Sequence, residues 1–150
     1  MSYAFDLALK NAKKNFFDRA AVVRAVTSAN AKNLRRVGAY IRTRARSIIG
    51  KPKKGTSAPG KPPHSHVGTL KRFIFFGLDQ RKESVAIGPV LVKANTQTAP
   101  KALEFGGPSV GISRGQRKVR NIRARPFMRP ALEAERNNIP EIWRNSVKAR

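Results

Sequence analysis

The sequence contains no cysteine, and only eight of its 150 residues are acidic. Without cysteine the chain has no disulfide, no thiolate metal ligand and no thiol nucleophile. Its longest apolar runs are about seven residues, well short of the ~20 that a membrane-spanning helix needs. The first residues also lack the basic and apolar regions of a signal peptide. These absences predict a soluble protein made in a cytoplasm, with a single domain at residues 1–150.

Positive charge is the most unusual property of the chain. Thirty-two Lys and Arg residues oppose the eight acids, giving a formal net charge of +24. There is no acid between Arg19 and Leu78, and none between Phe105 and Leu132. Such a charge favours binding to polyanions or to a strongly acidic protein surface, and it opposes self-association unless something neutralises it.

The pattern after Asp18 predicts a long amphipathic helix. Asp18 is a suitable N-cap, and the helix runs from Arg19 to about Ile49, before Gly50 and Pro52. Its apolar stripe, roughly 100° wide, consists of Val23, Val26, Leu34, Val37, Ile41, Ala45 and Ile48. Basic residues beside and opposite the stripe are Arg24, Lys32, Arg35, Arg36, Arg42 and Arg46. We expect one packed face and one basic face.

The middle of the chain predicts a loop followed by a β-hairpin. Residues 50–68 are rich in Pro, Gly and Lys and have no apolar period, which indicates a long flexible loop. Two segments rich in β-branched and aromatic residues, Thr69–Leu78 and Ser84–Val92, flank a turn at residues 79–82. Both faces of this hairpin are apolar. We expect the long helix on one face and the C-terminal helix or a second subunit on the other.

The remaining segments complete an α+β prediction. In the N-terminal arm, residues 1–17, alternation favours a strand but a helix fits equally well. A short helical turn at residues 100–105 precedes a basic arm at 108–125. A second main helix covers residues 127–137, and a final turn covers 141–147. The predicted fold is a long N-terminal helix and a shorter C-terminal helix packed on a small antiparallel β-sheet. Phe127 and Leu132 should pack against the hairpin, and Phe105 should close the same core.

No set of residues suggests catalysis. His64 and His66 alternate in a Pro-rich loop with no third metal ligand nearby. The serines lack a nucleophile-elbow context, and the Gly55–Gly60 segment lacks the ending of a phosphate-binding loop. We therefore predict no enzyme activity, no cofactor, no metal and no small-molecule substrate.

Two segments that flank the basic arm carry a resemblance to a known family. They are Leu103-Glu104-Phe105-Gly106-Gly107 and Ala124-Arg125-Pro126-Phe127-Met128-Arg129-Pro130-Ala131-Leu132-Glu133. Further matching segments are Phe16-Phe17-Asp18-Arg19, Ser57-Ala58-Pro59-Gly60, Pro62-Pro63-His64-Ser65-His66, Arg72-Phe73-Ile74-Phe75-Phe76 and Val85-Ala86-Ile87-Gly88-Pro89. In this order, across most of the chain, they resemble the tail-completion or neck proteins of long-tailed bacteriophages and prophages.

The resemblance implies a structural protein of the virion. Such a protein forms a ring, expected to be a hexamer, that joins the phage tail tube to the head connector or stopper around the genome channel. It implies a location in the tail and neck of the particle and no membrane partner. The motif residues with an implied structural role are Leu103, Glu104, Phe105, Gly106, Gly107, Pro126, Phe127 and Pro130.

The basic arm is the candidate interaction site. Its residues would face genomic DNA or acidic neighbouring rings, and they are Arg114, Arg117, Lys118, Arg120, Arg123 and Arg125. The alternative function is a nucleic-acid-binding protein without sequence preference, which contacts phosphates rather than base edges.

Overall fold

The computed structural model describes residues 18–51, 55–64, 68–90, 98–113, 115–144 and 146–147, so the N-terminal arm and its strand prediction lie outside the described residues. The helices are α1 (Arg19–Ile48), α2 (Thr69–Arg72), α3 (Ala99–Phe105), α4 (Met128–Glu135) and α5 (Ile139–Trp143). The strands form two antiparallel hairpins, β1 (Ile74–Asp79) with β2 (Ser84–Pro89) and β3 (Gly107–Ser113) with β4 (Gln116–Ile122). The α+β prediction is confirmed, with a long N-terminal helix, a shorter C-terminal helix and small antiparallel sheets.

Helix α1 begins where the sequence predicts it. The Oδ1 atom of Asp18 accepts a hydrogen bond from the backbone N–H of Ala21 at 2.9 Å, which satisfies one of the free donors of the first turn. The helix ends at Ile48, and Ile49 is already extended.

The core lies along the C-terminal half of α1. The β1–β2 hairpin, α4 and α5 all pack against this helix. The buried cluster consists of Val37, Ile41, Ala45, Ile49, Ile74, Phe127 and Ala131. Val23 and Val26, predicted for the packed stripe, are instead about half exposed, at 54% and 47%. The stripe continues along the helix, but the elements that cover it stop near Asn30, which accepts a hydrogen bond from Trp143 Nε1 at 3.2 Å.

A glycine in the middle of α1 lets the first hairpin approach the helix closely. A Cβ at Gly38 would lie 2.6 Å from the Phe76 ring and 3.0 Å from Val85. Any larger residue would push the hairpin or the Phe76 ring away. This close approach explains why the helix tolerates a residue that costs about 1 kcal/mol relative to alanine in a helix interior.

Among the residues that the structure describes, the β1–β2 hairpin is covered on one face. Phe76 pairs with Ile87 and Leu78 with Val85, and this face packs on α1. On the other face, Phe75, at 43% exposure, neighbours small residues and is contacted by the Arg42 guanidinium at 5.6 Å. Helix α4 packs chiefly against α1 and not on this second face, so the C-terminal helix is not its cover, and a second subunit there stays a prediction. The first strand of the hairpin also begins later than predicted, at Ile74, because Thr69–Arg72 forms the helical turn α2.

Two arginines of α1 bind the backbone rather than extend into solvent. Arg42 Nε donates to the carbonyl oxygen of Ile74 at 2.9 Å, and the Arg46 guanidinium donates to the carbonyls of Arg72 and Ile74 at 2.8 and 3.2 Å. Burial, and the neighbouring charge of Arg42, lower the pKa of Arg46. These two residues therefore do not belong to the predicted basic face. Their hydrogen bonds hold the start of β1 against α1.

A buried carboxylate joins α4 to α1. Glu135 is only 8% exposed, and its Oε1 atom accepts a hydrogen bond from Arg44 Nε at 2.7 Å while Oε2 accepts one from the Asn138 amide at 3.0 Å. These bonds, first that of Asn138 and then that of Arg44, lower the pKa of Glu135 despite its burial.

We expect Gly38→Ala to destabilise the protein by about 1–3 kcal/mol, the usual cost of overpacking, which exceeds the gain in helix propensity. Urea unfolding measures the effect. Gly77→Ala is the matched control, because a Cβ there meets no atom within 4 Å. Equal unfolding midpoints for the two variants would show that the Phe76 ring moves aside at no cost. The close approach of the hairpin to α1 would then not be required for stability.

We expect Glu135→Gln to lower the melting temperature at neutral pH and to reduce the loss of stability in acid. A carboxyl whose folded pKa is depressed adds stability above its unfolded pKa, about 4.3, and that stability is lost as pH falls through the folded pKa. Melting curves from pH 7 to 3 measure this. Glu133→Gln is the control, since Glu133 is exposed and pairs with Arg129 one turn away. A wild-type protein whose melting temperature is flat below pH 4.3 would contradict the assignment.

Candidate functional site

The two family-like segments meet at one carboxylate. Glu104, on α3, accepts hydrogen bonds from three consecutive backbone N–H groups at the start of α4: Phe127 at 2.9 Å and Met128 at 3.0 Å through Oε2, and Arg129 at 2.8 Å through Oε1. Helix α4 has no side-chain cap of its own. Glu104 therefore serves as its cap from a distant part of the chain, satisfying free donors and placing a negative charge at the positive end of the helix dipole.

The same region closes the base of the second hairpin. The backbone N–H of Arg125 donates to the Leu103 carbonyl at 2.6 Å. Gly106 adopts φ +80° and lies against Ala124, where a Cβ would come within 3.4 Å of the backbone nitrogen. Glycine accepts this left-handed conformation without strain. Gly106 precedes the second hairpin and Ala124 follows it, so these contacts hold the two ends of the hairpin together.

The Pro/Gly/Lys loop is attached to this base. The Gly60 N–H donates to the Ala124 carbonyl at 2.9 Å, and Arg125 Nε donates to the Ser57 carbonyl at 2.7 Å. At its start, Gly50 donates to the Pro63 carbonyl at 3.2 Å. Residues 55–64 thus lie between the end of α1 and the base of the second hairpin.

The basic arm is a two-stranded ribbon, β3–β4, which we call the basic ribbon (residues 107–122). Gly107 to Ser113 pairs throughout with Gln116 to Ile122. Lys118 and Arg120 share one face with Gly111 and Ser109, since directly opposed residues of an antiparallel pair point to the same side. This face carries positive charge and small residues.

The predicted site residues therefore separate into groups. Lys118, Arg120 and Arg117 are exposed on the ribbon, with Arg117 on the opposite face from the other two, and Arg123 is exposed just after β4. Arg125 is partly buried and holds the loop through Ser57. Arg114 lies outside the described residues.

The ribbon's other face carries apolar residues beside Arg117, and these were not recognised from the sequence. Val110 lies directly across from Val119, and Ile112 shares their side. Val119 is 66% exposed and Ile112 is 61% exposed. The alternation of Val110 and Ile112 with small residues could have revealed this face, but the density of arginines obscured it.

An open apolar groove of about 750 Å³ lies between β2, α3 and α4. Phe105, at 77% exposure, and Leu132, at 49%, form part of its walls. The prediction that both residues belong to the core is wrong, whereas Phe127 is fully buried as expected. Ala131 is buried against α1, so Leu132, about 100° further round the helix, is directed to the groove.

His64 is the histidine of the loop that the structure describes. The His64 ring packs directly against Gly50, and its Nδ1 atom is buried without a hydrogen-bond partner, while His66 lies outside the described residues. Among the residues that the structure describes, no three His, Cys, Asp or Glu side chains come together as a metal site.

Comparison of the chain with protein-family models, with curated proteins and with solved structures found no match in any of the three. Within the described ranges, no helix is both long and apolar enough to cross a membrane.

We expect Glu104→Ala to lower the free energy of unfolding by about 1.5–3 kcal/mol, the range for hydrogen bonds to a charged group, because three N–H groups lose their acceptor. Urea unfolding measures the loss. Glu133→Ala, on the surface of α4, is the control and should cost only about 0.3–0.5 kcal/mol, the value of an exposed helical ion pair. Similar losses in the two variants would show that water replaces the cap.

Proposed function

We propose that this chain is a subunit of the ring that completes the tail of a long-tailed phage and joins the tail tube to the head connector. The ring, a hexamer by resemblance, surrounds the genome channel. The chain is a structural protein of the virion neck rather than an enzyme.

The observation that best supports this proposal is the Glu104 cap. The two segments that carry the family resemblance are separated by the basic ribbon in the sequence, yet they form one unit in which Glu104 binds the N-terminus of α4. This contact gives a physical reason for Leu103–Gly107 and Ala124–Glu133 to occur together in one sequence, and this supports the proposal.

The charge distribution agrees with a role around DNA. Lys118, Arg120 and Arg123 are exposed, and no acid lies between Phe105 and Leu132 to neutralise them. In the proposed ring these residues face the genome or an acidic neighbouring ring. The same residues support the second candidate, a free nucleic-acid-binding protein that contacts phosphates without reading sequence.

Electron microscopy of purified particles separates the two candidates. The proposed function expects a ring at the neck that contains this chain, located by labelling or by fitting the fold into the density. Particles that lack the chain, together with tight binding of the free protein to bulk DNA, would support the second candidate and refute the first.

We expect replacement of Lys118, Arg120 and Arg123 by glutamine to lower the yield of joined particles while leaving the fold intact, because all three side chains are exposed. If all three contact phosphates, the slope of log K for DNA against log salt should also fall by about 2.7, at ~0.9 for each contact. DNA binding against salt and counts of joined particles measure the two effects.

The matched control replaces Arg24, Lys32 and Arg36, three exposed residues of α1, by glutamine. This variant removes the same charge and should leave joining unchanged. Equal effects in the two variants would assign the behaviour to net charge and remove the specific role of the ribbon. Lost joining with an unchanged DNA slope would place the ribbon against protein.

A further inference from the structure

The basic ribbon is attached to the rest of the fold through β3, which leaves the outer edge of β4 open. Strand β3 packs against α3, and the backbone N–H of Val110 donates to the Thr98 hydroxyl at 2.9 Å. Among the described elements, β4 packs chiefly against β3. Its four central side chains, from Arg117 to Arg120, are all exposed. Within the part of the chain that the structure describes, the edge of β4 is therefore accessible to a partner.

The backbone of β4 directs N–H groups outward along this edge. In an antiparallel pair, opposed residues alternate between pairs that share hydrogen bonds and pairs that point their N–H groups away from each other. Val110 points its N–H outward, to Thr98, so its partner Val119 also points its N–H outward. Arg117 and Asn121 lie two residues away on either side and follow the same alternation. The edge of β4 thus presents a row of outward hydrogen-bond donors.

Positive charge lies on both faces of the ribbon. Lys118 and Arg120 are exposed on one face, and Arg117 is exposed on the other. The sequence has no acid between Phe105 and Leu132 to neutralise them. A flat acidic surface can pair with one of these faces and leaves the charge on the other face unpaired. A partner that neutralises both faces must have a negatively charged wall on each side of the ribbon.

Duplex DNA provides two such walls, because a row of phosphates borders each side of its grooves. The major groove is about 12 Å wide and 8.5 Å deep, and it admits a two-stranded β-ribbon. Stacked sheets pack about 10 Å apart, so one sheet layer with its side chains is about 10 Å thick. The ribbon therefore fits on edge in the major groove, whereas the minor groove, about 6 Å wide, is too narrow.

We propose that the basic ribbon binds duplex DNA by inserting the open edge of β4 into the major groove. Lys118 and Arg120 then reach the phosphates of one strand, and Arg117 reaches those of the other. This inference rests on the proposed function, in which the ring surrounds the genome. It adds duplex DNA as the partner of the ribbon and the groove as the place of contact.

The floor of the major groove matches the edge of β4 in chemistry. Both purines present an N7 acceptor there, so the outward N–H groups of β4 find acceptors at A·T and at G·C pairs. Val119, which is 66% exposed, meets the thymine methyl group in the same groove. Contacts of this kind discriminate little between sequences, and the phosphate contacts supply most of the affinity.

Methylation by dimethyl sulfate tests the choice of groove. The reagent modifies guanine N7, in the major groove, and adenine N3, in the minor groove. We expect the full-length protein, bound to a short duplex of mixed sequence, to reduce methylation at guanine N7 and to leave adenine N3 at the level of free DNA. Protection of adenine N3 instead, or tight binding with no protection of guanine N7, overturns the proposal.

A pair of neighbouring substitutions tests whether both faces contact phosphates. Arg117→Gln and Lys118→Gln remove one charge each, from opposite faces of the ribbon. Each should lower the slope of log K for duplex DNA against log salt by about 0.9, because each loses one phosphate contact. Arg24→Gln, at an exposed position of α1, is the matched control and should leave the slope unchanged.

A wild-type slope for either ribbon variant would show that one face alone meets DNA, which contradicts insertion into a groove. An equal fall for Arg24→Gln would assign the effect to net charge and would also overturn the proposal.

Competition between duplex and single-stranded DNA of the same sequence tests the form of the nucleic acid. A single strand has no groove with two phosphate walls, so we expect the duplex to displace a labelled duplex at a lower concentration than the single strand does. Equal or stronger competition by the single strand would refute groove binding.

The outcome is separable from that of the proposed function. A neck ring seen by microscopy, with no protection of guanine N7 by the purified protein, keeps the phage role and removes the groove contact. Protection of guanine N7 by a protein that is missing from particles keeps the groove contact and removes the phage role.

Discussion

The second half of the fold depends on one carboxylate, that of Glu104. A helix exposes free N–H groups at its start, and α4 has no local side chain to bind them. Glu104 supplies the acceptor from α3, more than twenty residues earlier in the chain. These three hydrogen bonds align α3 with α4 and position Phe127 in the core beside α1. They also bring the ends of the basic ribbon together at Gly106 and Ala124.

Several of the few acids in this chain have structural roles, because they bind backbone N–H groups or join two helices. Asp18 caps α1, and Asp79 accepts hydrogen bonds from Arg81 and Lys82 in the first hairpin's turn. Glu104 caps α4, and Glu135 binds Arg44 inside the fold. Four of the eight acidic residues thus accept hydrogen bonds from backbone N–H groups or from an arginine within the fold. Few acids remain to neutralise the exposed arginines and lysines. The strongly positive surface follows from this allocation as much as from the number of basic residues.

The surfaces left open by packing on α1 differ in character. One face of the ribbon is basic, and on the other Arg117 lies among apolar residues. The groove is concave and apolar, and the first three turns of α1 expose Val23 and Val26. A monomer rarely leaves several such apolar surfaces in water. In the proposed ring, neighbouring subunits would cover such surfaces.

The sequence by itself determined the local elements. Asp18 and the apolar period from Val37 to Ala45 specified α1, β-branched and aromatic residues specified the first hairpin, and Phe127 was recognised as core. These signals depend on neighbours a few residues apart, so a single sequence contains them. Only the tertiary structure decided what covers each face. Phe105 and Leu132 are as apolar as Phe127, yet they line an open groove, because the rotation of α4 about Ala131 and the position of α3 depend on the Glu104 contact, which joins residues distant in sequence.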